Sequence, residues 1–376
     1  MIRPPGGGGG VVLTAVLLCF LSLATLHAQD TFQNVQRIVA VGDVHGDYTQ
    51  FVNLLQSAGV IDRKAKWIGG KTHLVQTGDV LDRGPESRKA MDLLMDLESQ
   101  ALKAGGEVHA LLGNHEAMNL YGDLRYVSKE EYASYQNGNS EQLRDAYFNL
   151  VLDDLKKKKT PPADLEAFRK TFDAEHPLGW VEHMQAFAPQ GKYGKWLRQH
   201  NAIIKVNDVA FLHGGISPKY AGKSIREINE TIRSELNDFS KLQNGMATDE
   251  EGPLWFRGLA QGPENGLSET VDQVLNNYGA HHIVIGHTVR VAVLPRFGGR
   301  VITIDVGLSK VYGGPPALLI VEGGKYYALH RGHKLDLPVD GGDILPYLKA
   351  AAALDPTPSP IEALIEGKAQ PDFVEK

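Results

Sequence analysis

The sequence predicts an α/β fold in which two mixed β-sheets face each other and are flanked by helices. Two observations predict this class. Strand-like and helix-like segments alternate between residues 37 and 112, and short apolar segments typical of strands return after residue 200. A chain of 376 residues with 42% hydrophobic side chains is also long and apolar enough to bury a large core.

The first elements form a series of strand, helix, strand, helix and strand. Such a series favours a parallel sheet, because right-handed crossover helices return the chain to the same end of each strand. We therefore expect the loops that follow the three strands to lie at one edge of the sheet. The predicted elements are strand 37–42, helix 47–58, strand 72–77, helix 85–104 and strand 107–112.

The segment 118–200 is charged and has a helical pattern, so we interpret it as a helical insertion over the sheet edge that carries these loops. Strand patterns then return. Short turns such as Gly323-Gly324 favour a second, more antiparallel sheet that faces the first. The predicted strands of this part are 202–206, 209–212, 282–285, 301–304, 317–321 and 326–329.

One folded domain is predicted between residues 36 and 335. Residues 350–376 are expected to form a loosely packed C-terminal extension, since Pro356, Pro358 and Pro360 are followed by mixed charges. This composition is typical of a linker or tail rather than of a core element.

The N-terminus predicts a signal peptide over residues 1–28. Arg3 precedes an uncharged apolar stretch at 11–26, and the small residue Ala28 precedes a polar segment. The apolar stretch is short for a membrane-spanning helix, which needs about 20 residues, so no stable membrane insertion is expected after cleavage. These features predict the secretory pathway or an extracellular location, with a periplasmic location or a retained signal anchor as alternatives.

Charge and cysteine content exclude several kinds of site. With 39 basic and 45 acidic residues the net charge is -6, which argues against a nucleic-acid partner. The sequence has one cysteine, Cys19, and it lies in the predicted signal peptide. A chain cleaved after residue 28 would lack this cysteine, so it would form no disulfide and would have no thiol nucleophile. Any metal must therefore be held by His, Asp, Asn or Glu side chains.

Three glycine-bounded strings come directly after the first three predicted strands: GDVHGD at 42–47, GDVLDRG at 78–84 and GNHE at 113–116. Two further histidines follow later strand-like segments, in HGG at 213–215 and GHT at 286–288. Oxygen ligands and imidazoles at one sheet edge can hold two divalent cations if one carboxylate is shared between them. The candidate ligands are Asp43, His45, Asp79, Asn114, His213 and His287.

In this order, the five strings resemble the motif set of the PPP family of metallophosphatases, within the calcineurin-like metallophosphoesterases. The resemblance extends over residues 37–307. The segment 113–127, which continues the GNHE string, is similar to the Shewanella-like branch of this family. The resemblance implies the calcineurin-like α/β sandwich, with two metal ions at the edge where the strands end.

The resemblance also implies a role for each candidate residue. A hydroxide that bridges the two metals would attack phosphorus directly, and His115, oriented by Asp82, would protonate the leaving oxygen. Arg83 and Arg257 would bind phosphate oxygens, with a surface arginine as the alternative for Arg257. Manganese, iron and zinc all suit such ligands. Asp43, His45 and Asp79 would hold one metal, and Asp79, Asn114, His213 and His287 would hold the other.

Five residues near the motifs have open roles. Asp305 follows a predicted strand and could lie behind the ligands or at the lip of the site. The other four begin the insertion and are expected either to touch substrate or to form a salt-bridged cap. These four are Asn119, Asp123, Arg125 and Tyr126.

Together, the motifs and their resemblance predict a metal-dependent protein phosphatase whose partner is a phosphoprotein or phosphopeptide. A long insertion would deepen the cleft, and a deep cleft favours phosphotyrosine, the preference associated with the Shewanella-like branch. The alternatives are a phosphoserine/threonine phosphatase, a dinucleoside polyphosphate hydrolase and a non-enzymatic module that binds phosphorylated ligands. The pattern predicts no oligomeric state.

Overall fold

The computed structural model describes residues 29–368, so the predicted signal peptide at 1–28 lies outside the described residues. Within the described range, twelve strands form two six-stranded sheets. The strands are β1 Thr31–Phe32, β2 Arg37–Val41, β3 His73–Gln76, β4 Glu107–Ala110, β5 Ile203–Val206, β6 Val209–Leu212, β7 His282–Ile285, β8 Leu294–Arg296, β9 Val301–Thr303, β10 Ala317–Glu322, β11 Lys325–His330 and β12 His333–Asp336.

Helices cover the sheets and fill the long connection between β4 and β5. No helix among residues 29–368 has the length and apolar character needed to cross a membrane. The α-helices are α1 Tyr48–Ser57, α2 Ser87–Lys103, α3 Asn114–Tyr121, α4 Lys129–Tyr135, α5 Ser140–Lys157, α6 Leu165–Glu175, α7 Trp180–Phe187, α8 Lys192–Leu197, α9 Ile225–Asn237, α10 Gly258–Gln261, α11 Glu264–Tyr278, α12 Leu345–Ala352 and α13 Pro360–Ile365.

Both sheets are mixed, as the sequence predicts. The first has the order β12-β11-β10-β2-β3-β4, and the second has the order β1-β5-β6-β7-β9-β8. In the first sheet β2, β3 and β4 are parallel. In the second sheet β6, β7 and β9 are parallel. The carboxyl ends of these strands therefore carry the motif loops of each sheet.

The placement of β10 and β11 corrects one prediction. The two strands do form an antiparallel hairpin, but β10 pairs with β2 and so extends the first sheet instead of the second. The physical reason is that the first five of the six residues of β10 are buried. A strand that is apolar on both faces belongs in the interior of a sheet, between two other strands.

Strand β2 shows how the layers pack. Its residues Ile38 and Ala40 join a hydrophobic cluster between the two sheets, which includes Phe211 of the second sheet. The alternate residues Val39 and Val41 join the cluster beneath the helices α1 and α2. Because both faces of the strand are covered, its sequence is a continuous apolar run without polar alternation.

The two sheets approach closely at the edge that carries the motif loops. A β-carbon placed on Gly42, directly after β2, would lie 2.7 Å from the carbonyl oxygen of Ile304, which follows β9. Only a glycine allows this separation of the two backbones. The polar side chains that follow strands of different sheets are therefore brought next to each other.

Residues 118–200, the segment predicted as an insertion, contain helices and no strand. Helix α4, the first that lies wholly within this segment, is hydrogen-bonded to the start of α2. The Glu131 carboxylate accepts hydrogen bonds from the backbone N–H of Ser87, at 2.9 Å, and of Arg88, at 3.1 Å. These are the first N–H groups of α2, which have no partner within that helix. The insertion thus completes the N-terminus of a helix of the sandwich.

The described part of the C-terminal extension is packed, so the prediction of loose packing is wrong for it. Ile361 of α13 is fully buried in the cluster between the sheets. Asp355 accepts hydrogen bonds from Arg331 Nε, at 2.6 Å, and Ser359 Oγ, at 2.8 Å. At least one of the prolines that suggested a tail begins a helix instead. Pro360 is the first residue of α13, a position where a helix tolerates proline.

Ile361→Ala is expected to lower the free energy of unfolding by about 2 to 5 kcal/mol, because it removes a buried side chain and leaves a cavity. Urea unfolding followed by circular dichroism measures this change. Leu150→Ala is the matched control, since Leu150 is 68% exposed and its loss should change stability little. A change of equal size in the two variants would show that α13 does not pack in solution.

The insertion also contains a buried histidine that makes stability depend on pH. His183 of α7 stacks on Phe187 with ring centres 4.5 Å apart, and its ring lies 5.3 Å from that of Tyr132 and 5.0 Å from that of Tyr135. Burial lowers the pKa of His183 to about 3. Because the folded pKa lies below the unfolded value of about 6.5, this group contributes stability above pH 6.5 that is lost as pH falls toward 3.

Lowering the pH from 7.5 to 5 should therefore reduce the free energy of unfolding of the wild-type protein by about 2 kcal/mol through His183 alone. In His183→Leu this component is absent, so the pH-dependent loss in the free energy of unfolding should be smaller by that amount. Urea titrations at the two pH values measure it. The control is His333→Leu, at an exposed position. An identical pH dependence in wild type and His183→Leu would refute the assignment.

Candidate metal centre

The six predicted metal ligands lie together in the structure. The first sheet contributes Asp43 and His45 after β2, Asp79 after β3, and Asn114 at the start of α3. The second sheet contributes His213 directly after β6 and His287 two residues after β7. All six are at most 5% exposed. Two compact groups of donor atoms share the Asp79 carboxylate, one with His45 and His115 and one with His213 and His287.

Around His213, several lone-pair donors converge on one point. His213 Nε2 lies 2.9 Å from Asn114 Oδ1, 3.0 Å from His287 Nδ1 and 3.2 Å from Asp79 Oδ2. A single proton on one of these atoms can satisfy only one of the contacts. A cation that accepts an electron pair from each donor satisfies all of them. This donor set therefore fits a divalent metal.

Backbone carbonyls set the orientation of the three ligand imidazoles. His45 Nδ1 lies 3.0 Å from the carbonyl oxygen of Leu81, and His213 Nδ1 lies 3.0 Å from that of Thr77. His287 Nε2 lies 3.0 Å from the carbonyl oxygen of Trp255. A carbonyl can only accept, so each of these nitrogens carries the proton. The other ring nitrogen then presents its lone pair to the centre, as in many metal sites.

The electrostatics of the site also call for a cation. Burial, together with Asp305 and Asp79, raises the pKa of Asp43 well above its usual range. Burial raises the pKa of Asp305 to about 6, and burial lowers that of His45 to about 4. Several buried carboxyl groups thus face an imidazole that is not protonated. A bound metal would supply the missing positive charge.

His115 and Asp82 form a hydrogen-bonded pair beside the shared carboxylate. His115 Nδ1 lies 2.6 Å from Asp82 Oδ2, and its Nε2 lies 3.8 Å from Asp79 Oδ2. Burial lowers the pKa of His115, but the charges of Asp79 and Asp82 outweigh burial and raise it to about 9. With Nδ1 directed at Asp82, the Nε2 proton points into the site.

Both predicted arginines border the site and are half-buried. The Arg83 guanidinium lies 4.0 Å from the centre of the Tyr126 ring. Arg257 donates to the carbonyl oxygen of His287 and lies 3.4 Å from Thr288 Oγ1. The contact with His287 shows that Arg257 lies at the ligand cluster and not on a distant surface.

The backbone is strained at the site. Five residues have positive φ angles although they are not glycine: His45 at 44°, Asp79 at 56°, Asp82 at 68°, Arg83 at 67° and His287 at 66°. Each such conformation costs roughly 1 to 3 kcal/mol and persists only where the surroundings enforce it. Strain of this kind concentrates at functional sites, and here it coincides with residues that the motifs select.

The structure shows the contacts of the five residues whose roles the sequence leaves open. Asn119 Nδ2 donates to Asp82 Oδ1 at 3.0 Å, so the buried Asn119 supports the pair of His115 and Asp82. Asp123 and Arg125 form an ion pair of 2.6 Å in which the Arg125 side chain is 65% exposed. The Tyr126 ring lies 5.1 Å from that of His115. Asp305 is buried and close enough to Asp43 for its charge to raise the pKa of that residue.

Two residues of the site have no role in the sequence-based prediction. Glu116 accepts hydrogen bonds from the backbone N–H of Asp79 at 2.7 Å, Val80 at 2.9 Å and Gly113 at 2.8 Å. Its place in the GNHE string, three residues after Gly113, is the signal that could have identified it as a helix-capping acid. The Tyr312 ring lies 5.3 Å from that of His45, and no motif indicated it.

Residues 36–291 match the family model described as calcineurin-like phosphoesterase. The chain belongs to this family. Shewanella-like protein phosphatase 2 of Arabidopsis thaliana is 31% identical over 288 residues, or 75% of this chain and 74% of the relative. An uncharacterized protein of Schizosaccharomyces pombe is 32% identical over 295 residues, or 76% of this chain and 77% of that protein.

A solved structure of similar fold is that of the cold-active protein-tyrosine phosphatase of a psychrophilic Shewanella species. Its TM-score is 0.64 at 29% identity, and the match covers 82% of each chain. The predicted family, its Shewanella-like branch and the sandwich fold are thus confirmed. This calcineurin-like phosphoesterase is accordingly a phosphatase of a family that uses divalent metals.

Gly113→Ala is expected to lower kcat/KM by roughly a hundredfold, the scale of loss for a 1 Å misplacement of a reacting group. A β-carbon at this position would lie 2.6 Å from the backbone nitrogen of Asp79 and would also meet its carboxylate. Hydrolysis of p-nitrophenyl phosphate at saturating Mn²⁺ measures the effect. In the control Gly138→Ala the new methyl group meets no atom within 4 Å. Wild-type rates in both variants would contradict the predicted crowding.

Proposed function

We propose that the protein is a metal-dependent phosphoprotein phosphatase that prefers phosphotyrosine. The observation that carries this proposal is the pair of donor clusters that share Asp79. Next to them lie one acid, His115, and two half-buried arginines, Arg83 and Arg257. Hydrolysis of a phosphomonoester uses these components: cations and guanidinium groups bind the phosphate oxygens, and an acid gives a proton to the leaving group.

In this proposal the donor set holds two metal ions. Bound metals of this kind lower the pKa of a coordinated water and offset the charge on the phosphoryl oxygens. Manganese, iron and zinc all accept carboxylate, amide and imidazole ligands. Asp43, His45 and Asp79 would hold one ion, and Asp79, Asn114, His213 and His287 would hold the other.

His115 is the general acid of the proposed reaction. Its Nε2 proton goes to the leaving oxygen of the ester as the bond to phosphorus breaks. Asp82 keeps Nδ1 protonated and fixes the ring, and Asn119 in turn holds the second oxygen of Asp82. The proton donor is thereby oriented by a chain of two hydrogen-bonded side chains before substrate arrives.

The two arginines bind the phosphate oxygens. A guanidinium presents two parallel N–H groups and suits a tetrahedral dianion better than an ammonium does. Arg83 is stacked on Tyr126, and Arg257 is held by the backbone of His287, so each has a restricted orientation. Restricting these side chains in advance reduces the entropy lost when substrate binds.

Aromatic rings support the preference for phosphotyrosine. Tyr126 lies beside His115, and Tyr312 lies beside His45, while the rings of these two histidines are 4.9 Å apart. Tyr126 and Tyr312 are half-buried, so part of each side chain is accessible beside these histidines. A phosphotyrosine ring can pack between such surfaces, whereas the shorter phosphoserine cannot reach both. The Shewanella relative is named a protein-tyrosine phosphatase, which supports the same preference.

The location of the protein is part of the proposal and rests on the N-terminal sequence alone. The basic residue, apolar stretch and small residue within positions 1–28 are the pattern of a secretory signal. We propose that the phosphatase acts on phosphoproteins within or beyond the secretory pathway.

A substrate panel tests the function. With Mn²⁺, kcat/KM for a phosphotyrosine peptide should exceed that for the matched phosphoserine and phosphothreonine peptides by about tenfold or more, since a polar or aromatic site discriminates at least this well. Asp79→Asn should lose more than about a hundredfold in kcat/KM, because it weakens a direct metal ligand. Asp153→Asn, at an exposed carboxylate, is the control.

Each result of the panel decides one part of the proposal. Equal turnover of the three peptides would contradict the tyrosine preference. Faster turnover of diadenosine tetraphosphate than of any peptide would replace the phosphoprotein substrate by a dinucleotide. Unchanged activity in Asp79→Asn would contradict the metal mechanism as a whole.

A further inference from the structure

A second group of metal-ligand side chains lies at the opposite ends of the strands that carry the catalytic loops. His73 is the first residue of β3, and Glu107 is the first residue of β4. The two are direct partners in the parallel register. His109 follows Glu107 by two residues, and the alternation of a strand places both on the same face. The sheet register therefore brings two imidazoles and one carboxylate together.

The distances are those of a ligand set. His73 Nδ1 lies 2.9 Å from His109 Nε2, and the donor atoms of these two side chains and Glu107 all lie within 4.8 Å of one another. The imidazole nitrogens of the catalytic pair, His213 and His287, are 3.0 Å apart. Two imidazoles bound to one tetrahedral zinc ion have their nitrogens about 3.3 Å apart. A movement of a few tenths of an ångström therefore admits an ion between His73 and His109.

The cluster is covered on one side and accessible to solvent on the other, so a cation bound there could keep a water ligand. The ring of Phe32, in the edge strand β1 of the other sheet, lies 4.4 Å from that of His109 and 5.7 Å from that of His73. Phe32 covers the cluster on one side, while His73 and Glu107 remain half-exposed on the other. Burial lowers the pKa of His73 and lowers that of His109 to about 3, so both imidazoles offer lone pairs at neutral pH.

We infer that His73, Glu107 and His109 form a binding site for a zinc-class divalent cation, separate from the catalytic centre. Two histidines and a glutamate, with water as the fourth ligand, are a donor set that zinc accepts. The ion joins the first residues of β3 and β4 and neutralises the half-buried Glu107 carboxylate. Because β4 is the edge strand of its sheet, the ion fastens the strand that has a neighbour on one side only.

This site is one strand length away from the catalytic ligands. The catalytic loops follow the carboxyl ends of β3 and β4, whereas this cluster lies at their amino ends. An ion here stabilises the fold and takes no part in phosphate hydrolysis. The inference rests on the sheet register and the distances between these three side chains, and it does not depend on the proposed substrate.

Zinc-binding stoichiometry tests the inference. The purified chain is dialysed against micromolar free Zn²⁺, and the bound metal is measured by mass spectrometry. His73→Gln and Glu107→Gln should each bind one equivalent less than wild type, or bind that equivalent more weakly by over a hundredfold, since they remove a direct ligand. His333→Gln, at an exposed position near the end of the same sheet, should bind as much as wild type.

Thermal unfolding gives a second readout that does not involve activity. Adding Zn²⁺ should raise the melting temperature of Glu107→Gln less than that of wild type, because an ion that binds the folded state stabilises it. Glu107 is half-exposed, so this variant keeps the test valid if His73→Gln fails to fold. Equal zinc binding and equal thermal shifts in wild type and Glu107→Gln would show that the two imidazoles form a hydrogen-bonded pair only, and would overturn the inference.

Discussion

Five buried carboxyl groups lie at the edge of the sandwich that carries the motif loops. The conformation of these loops and the contacts around them depend on the need to stabilise these groups. Asp43, Asp79, Asp82, Glu116 and Asp305 are each at most 3% exposed. Charge can be buried at such density only where N–H groups and cations surround it. Backbone amides turn toward Glu116, and imidazoles turn toward the aspartates. The positive φ angles of the motif loops are the backbone conformations that aim these donors at the carboxylates.

The helical insertion is linked to this arrangement through hydrogen bonds. Glu131 accepts from the N–H of Ser87, the Ser87 hydroxyl accepts from the N–H of Asp82, and Arg83 donates through its N–H to the carbonyl of Tyr126. The loop that carries Asp82 and Arg83 is thus held between the sandwich and the insertion. A segment read only as a cover over the cleft therefore also determines the position of the groups beneath it.

Much of the fold and the grouping of the six candidate ligands could be predicted because both depend on local patterns. Apolar runs ending in glycine and a polar residue mark where buried strands stop, and the nine predicted strands begin and end within one or two residues of the observed bounds. The short edge strands β1, β8 and β12 have no predicted counterpart. The remainder depends on partners far apart in sequence. The pairing of β10 with β2, the packing of Ile361 and the proximity of Tyr312 to His45 join segments that no local pattern relates. His73 and His109 likewise lie close together only because β3 and β4 pair in a particular register.

The candidate ligands of the centre come from both sheets, so the site lies at the junction of the two sheets. Asn114 and His213, neighbours at 2.9 Å, are separated by 99 positions in the chain. During synthesis the site stays incomplete until His287 has been made and the second sheet has docked on the first. Any cation held there would add to the hydrogen bonds that already join the two sheets at this edge, such as that from the backbone N–H of His287 to Asp43. The cluster of candidate ligands is consequently a feature of the assembled sandwich, since neither sheet alone supplies all six side chains.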